Sequence, residues 1–188
     1  MKRNIRWITQ TAVMLALLIC LQWVGSLIPV QMTKQLVTGT FVNCVLTVTA
    51  LVVGLSGGVT LALISPVFAF LLGIAPNFIT VGPIMLGNAC YVLLLRALGS
   101  KGSGWRKPVA LVAASAVKFA VLYGLVVMLI CGPLSGALLG KKWGETVLLA
   151  PPMLKMLPVM FSWPQLVTAL AGGSLAYGIA ATLKKVRH

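Results

Sequence analysis

The chain has 188 residues, of which 60% are hydrophobic and 9% are charged, and its mean hydropathy is +1.05. A soluble domain carries roughly 25% charged residues, so this composition excludes a soluble protein and indicates a polytopic membrane protein with one domain, residues 1–188. There are 15 Lys and Arg residues against one acid, Glu145. Basic cytoplasmic loops explain such an excess in a membrane protein, and no soluble basic module for binding nucleic acid is present.

An all-α bundle of six transmembrane helices is predicted. Lipid offers the backbone no hydrogen-bond partners, and the apolar runs lack the alternation of barrel strands. The first run is interpreted as a retained membrane helix, because no small-residue cleavage site follows its apolar centre. Pro66 and Pro83 predict kinks in the third and fourth helices. The predicted helices cover residues 7–28, 35–53, 58–72, 77–96, 108–131 and 159–183.

A long connection, residues 132–158, precedes the last predicted helix. It contains four prolines and four glycines, and structured loops of this length often serve as lids or binding loops. A flexible connector is the alternative. Its apolar half, "VLLAPPMLKMLPVM", predicts packing against another part of the protein.

The charge distribution predicts the orientation. With six helices both termini lie on one side, where ten basic residues collect, against four on the other. The positive-inside rule therefore places both termini in the cytoplasm of a prokaryotic cell membrane. The inner set is Lys2, Arg3, Arg6, Arg96, Lys101, Arg106, Lys107, Lys184, Lys185 and Arg187; the outer set is Lys34, Lys141, Lys142 and Lys155.

One face of the first helix carries small residues. Ala12, Ala16 and Cys20 recur every four residues, and Thr9 extends the same face. Small residues allow two membrane helices to approach closely. The pattern leaves open whether this face packs inside the bundle or docks onto another membrane subunit.

Lys118 is the one charge in the fifth predicted helix and lies about 15 Å from its inner end, close to mid-bilayer. A charge there costs about 2.5–3.5 kcal/mol, and no acidic residue lies in any predicted span. Three interpretations remain. Lys118 snorkels or is held by carbonyls and hydroxyls such as that of Ser115; it is neutral, because burial disfavours the charge; or it is the counter-charge of an anionic ligand, which we favour.

Other polar or aromatic residues are candidates for contacting such a ligand, although amides also form hydrogen bonds between helices. Lys34 could steer an anion or simply be solvated, and Trp163 could be an aromatic wall or an interface anchor. No metal-ligand set and no nucleophile–base pair is evident, so neither a metal site nor an enzyme is predicted. The candidate substrate-binding residues are Lys118, Asn88, Tyr91, Asn43, Gln165, Lys34 and Trp163.

The layout resembles a known family. Six short helices, basic termini, the Ala-x-x-x-Ala motif "AVMLA" in the first helix and "GPIMLGNACYVLL" in the fourth are similar to S-components, the substrate-binding subunits of energy-coupling factor (ECF) vitamin transporters. The resemblance implies a vitamin site on the outer side and no cofactor. It also implies that Ala12 and Ala16, on the face extended by Thr9, dock onto a transmembrane coupling subunit powered by two ATPase subunits.

The expected function is therefore high-affinity capture of a small anionic vitamin or precursor, with pantothenate-like compounds weakly favoured. No P-loop motif is present, so ATP hydrolysis would come from the partners. A self-sufficient secondary carrier and a structural or assembly subunit without a ligand are the alternatives.

Overall fold

The computed structural model describes residues 2–99, 104–144 and 146–186. Its elements, in chain order, are α1 (Lys2–Ser26), α2 (Gln31–Val52), α3 (Leu55–Leu71), α4 (Val81–Gly99), α5 (Arg106–Leu122), α6 (Ser135–Leu138), β1 (Lys142–Trp143), β2 (Thr146–Val147), α7 (Met153–Met160) and α8 (Trp163–Val186). A 3-10 turn, Phe78–Thr80, leads into α4, and π-helical turns, Tyr123–Ile130, extend α5. The predicted helical class is confirmed for these residues, apart from one short hairpin.

Among the described residues, four helical segments are long and apolar enough to cross a membrane: Ile5–Ser26, Gln31–Val52, Phe78–Gly99 and Arg106–Ile130. The helix Leu55–Leu71 is apolar but shorter. Large apolar side chains are exposed along the bundle, as on Ile8 and Val13 of α1. Water disfavours so many exposed apolar groups, whereas lipid does not. The arrangement is compatible with a multi-pass membrane protein.

The interior of the bundle is apolar and closely packed. Leu46 and Leu61 are fully buried in it, and the most extensive helix contact joins α2 to α8. Gly172 permits this approach, because a Cβ atom there would collide with the carbonyl oxygen of Thr40 and lie 2.8 Å from the backbone nitrogen of Cys44. The lack of a side chain at Gly172 thus sets the distance between α2 and α8.

Several predicted boundaries need correction. The helices predicted to begin at residues 7 and 35 begin at Lys2 and Gln31. The helix predicted at 159–183 begins at Trp163, because Pro158 belongs to the separate helix α7 and the chain turns between the two helices. The helix predicted at 77–96 begins as a 3-10 turn and becomes α-helical at Val81. Pro83 lies in that first α-helical turn, where a residue without an N–H is tolerated, and the kinks expected at Pro66 and Pro83 stay predictions.

The connection predicted at 132–158 is folded, and the flexible-connector interpretation is wrong. It contains α6, the β1–β2 hairpin and most of α7, and Leu149 and Leu157 are fully buried against the end of α5. Asn77, before α4, donates its side-chain N–H to the backbone carbonyls of Val147 and Leu148. The predicted packing of the apolar half of this connection is confirmed. Three charged residues used in the sequence argument, Lys101, Glu145 and Arg187, lie outside the described residues.

Candidate functional site

A cavity lined by both apolar and polar residues lies at the end of the bundle that borders the connections α1–α2, α3–α4 and α5–α8. Its walls come from the C-terminal parts of α1 and α3, the second half of α5, and the N-terminal halves of α2, α4 and α8. About 730 Å³ between these walls is free of protein atoms, including the open mouth. Because this volume includes open solvent at the mouth, it is an upper bound on the space that a ligand could fill.

The Lys118 side chain forms part of the cavity wall and is 3% exposed. Its Nζ donates hydrogen bonds to Oδ1 of Asn43 at 2.6 Å and to Oδ1 of Asn88 at 2.7 Å. Both acceptors are neutral amides, so they solvate an ammonium group without cancelling its charge. An ammonium has three N–H donors, and one remains for a further partner.

The orientation of the Asn43 amide is fixed by its own neighbours. Its Nδ2 donates to the carbonyl oxygen of Gly39 at 2.8 Å and lies 3.5 Å from Oγ1 of Thr168 on α8. A backbone carbonyl can only accept, so the nitrogen must point there and the oxygen toward Lys118. Helices α2 and α8 therefore hold the lysine partner in place.

Several buried polar atoms of the cavity-lining residues have no hydrogen-bond partner in the described part of the chain. Gln22, Thr38 and Ser65 are 2%, 3% and 1% exposed, and their atoms Oε1, Oγ1 and Oγ are unpaired, as is Oε1 of Gln35. Buried polar groups are rarely left without partners. Four of the seven unpaired side-chain atoms found among the described residues therefore belong to cavity-lining residues, and those of Trp7, Asn77 and Ser115 lie elsewhere.

Five of the predicted substrate-binding residues line the cavity: Lys118, Asn88, Asn43, Gln165 and Lys34. Two others do not. Tyr91 is fully buried with its ring centre 5.6 Å from the Lys118 nitrogen, and its hydroxyl group is 2.8 Å from Oγ1 of Thr47 and 3.4 Å from the carbonyl oxygen of Ala169. Trp163 is 52% exposed and is not a cavity-lining residue.

The suggested hydroxyl partner of Lys118 is not used. Oγ of Ser115, one turn below on α5, has no hydrogen-bond partner, whereas the ammonium is held by amides from two other helices. That part of the first interpretation is wrong. The counter-charge interpretation stays a prediction.

Sequence reasoning missed Thr38, Ser65 and Gln35 as cavity residues. Hydroxyl residues give a weak signal because they commonly bond to the carbonyl one turn back. Thr40 and Thr49 do this, at 2.8 Å and 2.7 Å. The pattern alone does not separate a hydroxyl satisfied by its own helix from one facing a cavity.

The small-residue face of α1 points away from the bundle. Thr9, Ala12, Ala16 and Cys20 are all exposed, and Thr9 bonds only within its own helix, to the carbonyl oxygen of Ile5. Packing of this face inside the bundle is therefore wrong. Docking onto another subunit stays a prediction.

No protein-family model, curated protein or solved structure matches the chain. The likeness to S-components thus stays an expectation from the sequence layout, and function is argued from the cavity.

Proposed function

We propose that this protein is the substrate-binding membrane subunit of an ECF-type importer and that it captures a small anionic vitamin or precursor. The observation that carries the proposal is the environment of Lys118. Its ammonium is buried at a cavity, held by two neutral amide oxygens, and the helices that form the cavity contain no acidic residue.

An anionic ligand completes this site electrostatically. Burying an unpaired charge costs several kcal/mol, and a carboxylate at the remaining N–H of Lys118 offsets that cost through a charge-assisted hydrogen bond. A cationic ligand would meet the same ammonium with repulsion. Lys34 also lines the cavity and adds a second positive charge to attract an anion.

The proposed arrangement in the membrane has six crossings with both termini in the cytoplasm. The cavity end borders the connections after α1, α3 and α5, so it would face outward and receive substrate from the external medium. The exposed Ala12 and Ala16 would meet the coupling subunit, and two ATPase subunits would supply the energy. A pantothenate-like compound is the favoured ligand.

The test compares acids with their neutral analogues on the purified protein. Pantothenate is paired with panthenol and nicotinate with nicotinamide, and binding is read as an increase in the midpoint of thermal unfolding, since a ligand that binds the folded state stabilises it. At least one acid is expected to bind more tightly than its neutral analogue. Lys118→Met should weaken the binding of that acid by about 1–3 kcal/mol, which raises its dissociation constant roughly 5- to 150-fold.

Lys155→Met is the matched control, because Lys155 is exposed and outside the cavity wall. The affinity of this variant for the acid should be unchanged. Equal binding of a neutral analogue, or full affinity in Lys118→Met, would contradict the proposal. Uptake into liposomes by the purified protein alone would instead favour a self-sufficient carrier.

A further inference from the structure

We infer that the ligand is an acid that also carries hydrogen-bond donors, hydroxyl or N–H groups, in addition to its carboxylate. This inference rests on the proposed function, since it takes Lys118 as the partner of the anionic group. It adds a requirement that a counter-charge alone does not impose. The groups that carry it are the unpaired oxygens of Gln22, Gln35, Thr38 and Ser65.

Two of these oxygens are acceptors by necessity. Nε2 of Gln22 donates to the carbonyl oxygen of Ser65 at 3.4 Å, and Nε2 of Gln35 donates to the carbonyl oxygen of Met160. A carbonyl oxygen can only accept, so the amide nitrogen of each glutamine must lie on that side. Each Oε1 atom is then left as an acceptor without a protein donor.

The hydroxyl groups of Thr38 and Ser65 extend this acceptor surface. Both side chains are at least 97% buried and line the same cavity as the two glutamines. They come from α2 and α3, while Gln22 comes from α1. The cavity-lining residues that carry these oxygens therefore come from three helices, and the ammonium of Lys118 on α5 provides the positive charge of the site.

Burial explains why these oxygens select a ligand. Each oxygen is buried and has no donor among the described residues. A ligand whose donors reach them gains these hydrogen bonds, whereas a ligand without donors leaves the buried acceptors unpaired. A plain aliphatic or aromatic acid pairs with Lys118 but leaves these oxygens unpaired. A hydroxylated or amide-bearing acid pairs with Lys118 and also donates hydrogen bonds to the oxygens.

The experiment measures dissociation constants of four acids by isothermal titration. Pantothenate carries hydroxyl and amide N–H groups, and biotin carries ureido N–H groups; octanoate and nicotinate carry no donor beyond the carboxylic acid. At least one donor-bearing acid is expected to bind about tenfold or more tightly than either plain acid, since sites built to hydrogen-bond a substrate reject analogues that lack the group.

Two substitutions test whether the oxygens cause this preference. Ser65→Ala and Thr38→Val each remove a hydroxyl with little change in volume, so each is measured singly and then together. Together they should raise the dissociation constant of the preferred acid about tenfold and change that of octanoate by less than about twofold. Thr40→Val is the matched control on α2, because that hydroxyl is bonded to the carbonyl oxygen of Leu36 at 2.8 Å and does not line the cavity.

The outcomes separate this inference from the proposed function. If octanoate or nicotinate binds as tightly as the donor-bearing acids, and does so through Lys118, the inference is overturned while the function stands. The inference also fails if the hydroxyl substitutions weaken all acids equally. If panthenol matches pantothenate, or if no acid binds, the proposed function is overturned and the inference with it.

Discussion

Two buried polar regions lie side by side in this bundle, and they differ in how completely the protein satisfies them. Around Tyr91 the phenol hydroxyl is within hydrogen-bond distance of Thr47 and of the carbonyl of Ala169. In the neighbouring cavity Lys118 has neutral partners only, and the oxygens of Thr38 and Ser65 have none. The polar groups around Tyr91 form their hydrogen bonds within the protein, whereas several cavity-lining oxygens have no partner among the described residues, as the proposed function expects.

The largest effect is expected at the contact between α2 and α8, because both polar regions include residues of these two helices. Gly172→Ala places a Cβ against the backbone of α2 and should destabilise the protein by about 3 kcal/mol, the upper end of the range for overpacking. Because α2 carries Asn43, ligand binding should also weaken. Thermal unfolding in detergent measures the first effect, and titration with the preferred acid measures the second.

Gly178→Ala is the control within the same helix. A Cβ at Gly178 meets no atom within 4 Å, so the substitution should be neutral or stabilising by about 0.5–1 kcal/mol. Equal behaviour of the two variants would refute the close packing of α2 on α8.

A smaller effect is expected in the region around Tyr91, where the hydrogen bonds are formed within the protein. Tyr91→Phe keeps the ring beside Lys118 but removes the hydroxyl and leaves Oγ1 of Thr47 without its partner. Stability should fall by about 1 kcal/mol, and the affinity for the acid should stay within about twofold, since Tyr91 does not line the cavity. A large loss of affinity with unchanged stability would reverse the roles assigned to the two regions.

A still smaller effect on stability is expected at the cavity-lining residue Ser65. Ser65→Ala removes a buried hydroxyl that has no partner, so the ligand-free protein should be unchanged or slightly more stable, within about 0.5 kcal/mol. Thermal unfolding without ligand provides the measurement. A loss as large as that of Tyr91→Phe would show that the Ser65 hydroxyl has a structural partner.

The smallest effect on the isolated protein is expected on α1. Ala12→Leu adds an exposed apolar side chain and should change neither the unfolding midpoint nor acid binding. Uptake by cells that contain the coupling module should nevertheless be lost, because the bulkier residue prevents close helix contact. Val13→Leu, on the neighbouring exposed position, should retain uptake. If Ala12→Leu also retains it, this face is not the docking surface.

The sequence was sufficient to predict the class of fold and part of the site. Lys118 was identifiable because a single charge in an apolar helix is costly wherever it is placed, and depth along the helices suggested Asn88 as a neighbour. The partnership with Asn43 depended on the packing of α2 and α8, which no local pattern encodes.

Other features could not be predicted for specific physical reasons. Hydropathy continues across residues 159–163, so it does not reveal the break between α7 and α8. A small-residue stripe has the same pattern whether it is buried or exposed, and the exposure of Ala12 follows from which other face of α1 packs on the bundle. The unpaired oxygens of Gln22 and Ser65 become apparent only when neighbouring helices are in place.

The central claim is that Lys118 is the counter-charge of an acidic ligand, and native mass spectrometry tests it most directly. The purified protein and its Lys118→Met variant are each incubated with the small-molecule fraction of a cell extract and then compared. The account predicts a bound acid on the wild-type protein that is absent from the variant. A cation or neutral compound retained equally by both proteins, or no bound molecule on either, would contradict it.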